Sequence, residues 1–175
     1  MFSVKKLCIT GLCLALCCVL PAAFHSVGLG TAFSPLHIPV LLCGLVCGWP
    51  YGLACGLLGP MLSSLLTSMP AGVMLPSMVP ELMAYGLVTG AMMALLKKPN
   101  VWARLYISLG TAMVLGRVVG GIAKALVFMG DGQVFTISLW TTGYFVSTTP
   151  GILCHLVLIP LLYMALVRAR VIPKD

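Results

Sequence analysis

The stretch WARLYISLGTAMVLGRVVGGIAKALVFM, residues 102–129, decides the class of fold. It exceeds the ~20 apolar residues that carry a helix across a ~30 Å hydrocarbon core. Beyond Arg104 near its start, its only charged residues are Arg117 and Lys124. Similar runs stand on either side of it, at about Val4 to Phe24, Leu36 to Gly48, Tyr51 to Thr67, Met74 to Leu96 and Leu139 to Val167. The predicted fold is therefore all-α: a polytopic membrane protein with residues 1–175 as a single integral membrane domain. Its architecture is a compact bundle of six transmembrane helices, the second and third short or kinked.

Composition agrees with the runs. Of 175 residues 61% are hydrophobic and 7% charged, where an ordinary soluble domain carries about 25% charged residues. Six spans consume nearly the whole chain, which leaves no room for a soluble domain. The first run follows Lys5 and Lys6 and ends in Pro21-Ala22-Ala23, a pattern that also suits a cleaved signal peptide. Its length and the odd number of spans that cleavage would leave both favour a retained helix.

The basic residues report orientation. Lys5 and Lys6 stand at the very start of the first run, Lys97 and Lys98 lie between the fourth and the fifth with Arg104 at the start of the fifth, and Arg168, Arg170 and Lys174 follow the sixth. With six crossings these eight fall on one side, and the positive-inside bias places that side, with both termini, in the cytoplasm. The net charge of +7 is thus split into topology signals rather than gathered in a stripe, so nucleic acid is not an expected partner and the lipid bilayer is.

Helix breakers crowd one half. Seven of the twelve prolines lie between Pro35 and Pro80, together with Gly44, Gly48, Gly52, Gly56, Gly59 and Gly72. Freed backbone groups are tolerated at membrane depth only inside protein or along a wet cavity, so this half is expected to wrap a pocket. Glycines four apart, such as Gly44/Gly48 and Gly52/Gly56, equally allow two helices to approach closely.

Ionisable side chains at membrane depth cost a few kcal/mol and need a partner or a purpose. Three qualify: Glu81, Arg117 and Lys124. At ~1.5 Å per residue Glu81 lies ~10 Å into the fourth helix and Arg117 ~20 Å along the fifth from Arg104, so their depths match and an ion pair is geometrically reasonable. Lys124, two turns beyond Arg117, shares its face and lies nearer the outside; snorkelling to the interface is the competing explanation for it. Gly116, Gly120 and Gly121 thin the helix beside these groups, making room for a ligand or for a neighbouring backbone. His37, Ser77, Tyr85, Trp140 and Tyr144, with the hydroxyls of Thr141, Thr142, Ser147, Thr148 and Thr149, complete the inventory of a small-molecule pocket. His155 reads as a packing residue. The expected substrate-binding set is His37, Glu81, Tyr85, Arg117, Lys124 and Trp140.

Other chemistries find nothing to use. Eight cysteines lie within apolar stretches without a C-x-x-C pair, which points to small packing residues rather than to a metal or redox site. Neither a P-loop, H-E-x-x-H nor G-x-S-x-G is present, and three acidic residues supply no paired-carboxylate chemistry. No enzyme activity and no cofactor are expected. A self-sufficient secondary transporter or channel, and a scaffold without a ligand, remain alternatives to solute capture.

The run Phe33-Ser34-Pro35-Leu36-His37-Ile38-Pro39-Val40, followed by Cys43-Gly44-Leu45-Val46-Cys47-Gly48-Trp49-Pro50-Tyr51-Gly52, resembles the second and third helices of the substrate-binding S-components of energy-coupling factor (ECF) vitamin transporters. Pro80-Glu81-Leu82-Met83-Ala84-Tyr85-Gly86-Leu87-Val88 is similar to their fourth helix. The resemblance implies a subunit of a bacterial cell membrane that binds a vitamin or precursor from outside. It also implies partners: a transmembrane coupling subunit and cytoplasmic ATPase subunits that supply the energy. The family's A-x-x-x-A contact on the first helix would fall on Gly11 and Ala15, where glycine replaces the first alanine. The surplus of cations hints at a carboxylate such as niacin or pantothenate.

Overall fold

The computed structural model describes residues 4–26, 28, 33–96, 100–130, 132, 136–146 and 148–172. Expectations resting on Lys97, Lys98, Ser147, Lys174 and the side chain of Tyr144 lie outside the described residues. Within them every regular element is helical. The principal helices are α1 (Val4–Ser26), α2 (His37–Cys47), α3 (Trp49–Thr67), α4 (Leu75–Leu95), α5 (Val101–Gly130) and α6 (Thr149–Arg168). The stretches Val4–His25, Gly72–Leu95, Val101–Gly130 and Thr149–Arg168 are long and apolar enough to cross a membrane. The 11 residues of α2 extend only ~16 Å at 1.5 Å per residue, about half a hydrocarbon core.

Two expected boundaries are corrected. Trp49-Pro50, which falls between the expected runs Leu36 to Gly48 and Tyr51 to Thr67, belongs to the first turn of α3, because a proline there loses no intrahelical hydrogen bond. The reversal falls on Gly48, at φ 96°, a conformation that only glycine adopts without steric cost. The expected helix from Leu139 to Val167 is also interrupted. A five-residue helix, Ile137–Thr141, runs into a π-turn over Thr142–Val146, and α6 starts afresh at Thr149 with Pro150 in its first turn. Pro150, without an N–H to donate, suits the first turn of a new helix rather than the interior of a continuing one, while the Thr141 and Thr142 hydroxyls donate to carbonyls one turn back, at Ile137 and Ser138.

Backbones approach each other closely between α3 and α4. A Cβ added at Gly52 would strike the Gly86 carbonyl, one at Gly86 would strike the Gly52 carbonyl, and one at Gly56 would strike the Leu82 carbonyl. Lipid solvates apolar side chains as well as protein does, so van der Waals contact between backbones is what holds such a seam together. On its other faces α4 packs against α2 and α5. Cys13, Cys17, Cys43, Cys47 and Cys55 are buried small side chains of the core formed by α1, α2 and α3, Cys17 lying where Gly59 leaves space.

The helices alternate in direction, which separates two ends of the bundle. At one end Cys47 Sγ lies 3.6 Å from the Lys6 carbonyl, and Arg104 Nη2 donates to the Met93 carbonyl at 3.0 Å. The latter bond caps the last turn of α4. The starts of α2, α4 and α6 and the end of α5 gather at the opposite end.

Candidate functional site

His37 opens α2, and the carbonyl of Ser34 holds it twice, accepting from its backbone N–H at 3.0 Å and from Nδ1 at 3.1 Å. A carbonyl only accepts, so Nδ1 carries the proton and Nε2 is left facing α4. There it stands 3.7 Å from Glu81 Oε1. Tyr85, one turn further along α4 and therefore on the same face, donates its hydroxyl to that same oxygen at 2.9 Å.

Arg117 approaches from α5. Its Nε donates to the Tyr85 hydroxyl at 3.4 Å and its Nη2 to Thr148 Oγ1 at 3.2 Å. The direct Glu81–Arg117 ion pair expected from matching depth is thus replaced, among the described contacts, by one relayed through a phenol. Glu81 and Arg117 are 7% and 6% exposed, and charges so buried depend on such hydrogen bonds to offset their desolvation.

Three glycines of α5 make this geometry possible. A Cβ on Gly116 would collide with the Tyr85 ring, one on Gly120 would come within 2.8 Å of Glu81 Cδ and Oε2, and one on Gly121 would collide with the Trp140 indole. The space expected beside Arg117 and Lys124 is filled by side chains from two other segments. Trp140 Nε1 donates to the Arg117 carbonyl at 3.2 Å, which fastens the segment preceding α6 to α5.

Above this layer opens a cavity of ≈ 420 Å³ lined by Ser34, His37, Val73, Met74, Ser77, Met78, Glu81, Arg117, Lys124, Val127, Phe128, Gly143 and Thr148. It lies at the end of the bundle opposite Lys5, Lys6 and Arg104, in the volume range of small-molecule sites. Four of the six expected residues, His37, Glu81, Arg117 and Lys124, share its wall. Tyr85, 1% exposed, supports Glu81 from behind. Trp140 faces a separate hollow of ≈ 280 Å³ with Val118, Gly121, Ile122, Ala125 and Ile137. Lys124 is half-buried, with Nζ 5.9 Å from the centroid of the Phe128 ring, a distance at which the ring face attracts the ammonium.

His155 packs in the interior, as its reading as a packing residue expects; that it packs against the site is what sequence reasoning missed. It is 2% exposed and stacks on His37 with ring centroids 5.7 Å apart, so it backs the site. The depth ruler that matched Glu81 to Arg117 finds it once the true start of α6 is known: His155 follows Thr149 by six residues, as Glu81 follows Leu75. Gly11 and Ala15 lie on the exposed face of α1, and nothing stands within 4 Å of a Cβ built on Gly11.

The site combines an ammonium, a guanidinium, a carboxylate and an imidazole around a hollow with a methionine and phenylalanine wall. That is equipment for holding a polar small molecule. No curated protein and no solved structure matches the chain significantly. A family model, the ECF transporter substrate-specific component, matches residues 5–172. So extensive a match leaves almost none of the bundle outside the family, and the chain belongs to the ECF transporter substrate-specific components, membrane subunits that bind a small molecule and associate with an energising module rather than catalyse a reaction.

Proposed function

We propose that this subunit captures a small vitamin-like anion, such as a carboxylate of the size of niacin or pantothenate, from outside the cell for uptake driven by partner ATPases. The carrying observation is the ≈ 420 Å³ cavity with Arg117 and Lys124 in its wall, at the end of the bundle away from Lys5, Lys6 and Arg104. Basic residues favour the cytoplasmic side, so the reading places both termini inside, six helices in the membrane and the cavity mouth outside. An ammonium in a partly apolar hollow attracts an anion more strongly than it does in water, because the effective dielectric is lower. On this reading the exposed Gly11/Ala15 face of α1 meets the transmembrane coupling subunit, and small residues suit close helix contact.

Native mass spectrometry of the purified chain tests the capture. A co-purifying small molecule that carries an anionic group is expected, and its occupancy should fall in Lys124→Ala. A retained ligand without an anionic group, or one held equally by the variant, would overturn the reading. Uptake into liposomes by the chain alone, without ATPase subunits, would replace it with a self-sufficient transporter.

A further inference from the structure

The two oxygens of Glu81 are used unequally. Oε1 receives the Tyr85 hydroxyl and faces His37 Nε2, whereas Oε2 has no donor among the described residues. Oε2 is turned toward Gly120, whose missing Cβ leaves it room, and Glu81 lines the cavity. Arg117 donates to Tyr85 and to Thr148. Glu81 is 7% exposed, and what it exposes opens on the cavity, so Oε2 takes its hydrogen bond there, from water or from a donor on the solute that displaces it.

Resting on the anion-capture reading above, we infer that the solute is bipolar: it presents an N–H donor, most simply an ammonium, to Glu81 Oε2, and its anionic group to Lys124. Gly120, which faces Glu81, and Lys124 are one helical turn apart on α5, a rise of about 6 Å. Allowing for the reach of the lysine side chain, donor and anion sit roughly 6–10 Å apart on the ligand. The hollow holds on the order of fourteen water-sized groups at ~30 Å³ each, which suits an aminocarboxylate of about a dozen heavy atoms. The methionine and phenylalanine wall then covers the apolar spacer between its two ends.

Two matched sets of probes test this on the full chain in lipid nanodiscs, with affinity read by calorimetric titration. One set is para-(aminomethyl)benzoate, para-toluate and para-methylbenzylamine; the other is ε-aminocaproate, caproate and hexylamine. In at least one set the bipolar probe should bind about tenfold tighter than its acid-only analogue. Glu81→Gln, which keeps the shape of the side chain, should erase that advantage. Equal affinity of the bipolar and acid-only probes in the wild type overturns the inference, as does binding by none of them or an advantage that survives Glu81→Gln. The wild-type comparison decides even if the variant does not fold. Acid-only binding that weakens in Lys124→Ala while the bipolar advantage is absent leaves anion capture standing alone, and acid-only binding indifferent to Lys124→Ala removes both.

Discussion

Helix α4 presents glycine-rich packing on two sides, and the two sides use the missing side chains differently. Toward α3, Gly86 meets Gly52, and each leaves room for the other's backbone. Toward α5, Gly116 and Gly120 leave room for Tyr85 and Glu81, polar side chains that α4 itself projects. The first is a seam of main chain on main chain, which contributes stability and little else. The second is a slot that admits a buried carboxylate and a phenol beside a guanidinium. Small residues in a membrane helix therefore announce close approach without saying what approaches, and only the occupant separates a structural contact from a functional one.

Substitution in the seam should have the largest effect. In Gly86→Leu the added atoms would meet the Gly52 backbone, which cannot swing aside as a side chain can. Overpacking costs about 1–3 kcal/mol, occasionally more, and this site belongs at or beyond the upper end. The expected result is loss of monodisperse protein on size-exclusion chromatography. Gly120→Ala adds a single methyl to the slot, 2.8–2.9 Å from Glu81 Cδ, Oε2 and Cβ. Thermal unfolding should show about 1–2 kcal/mol of destabilisation with the fold retained, together with a disproportionate loss of ligand affinity as Glu81 is displaced. If Gly120→Ala unfolds the chain as readily as Gly86→Leu, the distinction between seam and slot collapses.

Much of this was legible beforehand because charge in hydrocarbon is rare enough to be informative. Glu81, Arg117 and Lys124 stood out, depth arithmetic brought Glu81 and Arg117 to one level, and the helical period put Lys124 on the face of Arg117. All three line one cavity. The stacking of His155 on His37 was not legible, since the depth of His155 depends on where α6 begins. That start was hidden within an uncharged run from Leu139 to Val167, where only Pro150 and its hydroxyl-rich neighbours signal the break. Nor could spacing tell that Tyr85 would stand between Glu81 and Arg117, because a phenol and a carboxylate one turn apart can share or divide a cation, and the rotamers decide.

Tyr85→Phe sharpens the comparison from the side of the slot. It keeps the ring beside Gly116 and removes only the hydroxyl that joins Arg117 to Glu81. Stability should fall by about 1–2 kcal/mol, the cost of leaving buried partners short of a hydrogen bond. A loss comparable to that of Gly86→Leu would mean that the polar relay, rather than the glycine seam, carries the fold.

The smallest effect on stability is expected where neither seam nor slot is involved. Gly11→Leu combined with Ala15→Leu enlarges the exposed face of α1, where nothing lies within 4 Å of a Cβ on Gly11. The inward face of that helix is a different surface, with Thr10, Cys13 and Cys17 buried. Thermal unfolding of the isolated chain should therefore shift by less than about 0.5 kcal/mol, as for surface changes elsewhere, and ligand affinity should stay at the wild-type value. Uptake measured in the assembled transporter should fall sharply, because leucines at both positions would hold a partner helix away from a surface that small residues leave open. Unchanged uptake would reduce these two small residues to neutral surface positions and move the coupling contact to another face of the bundle.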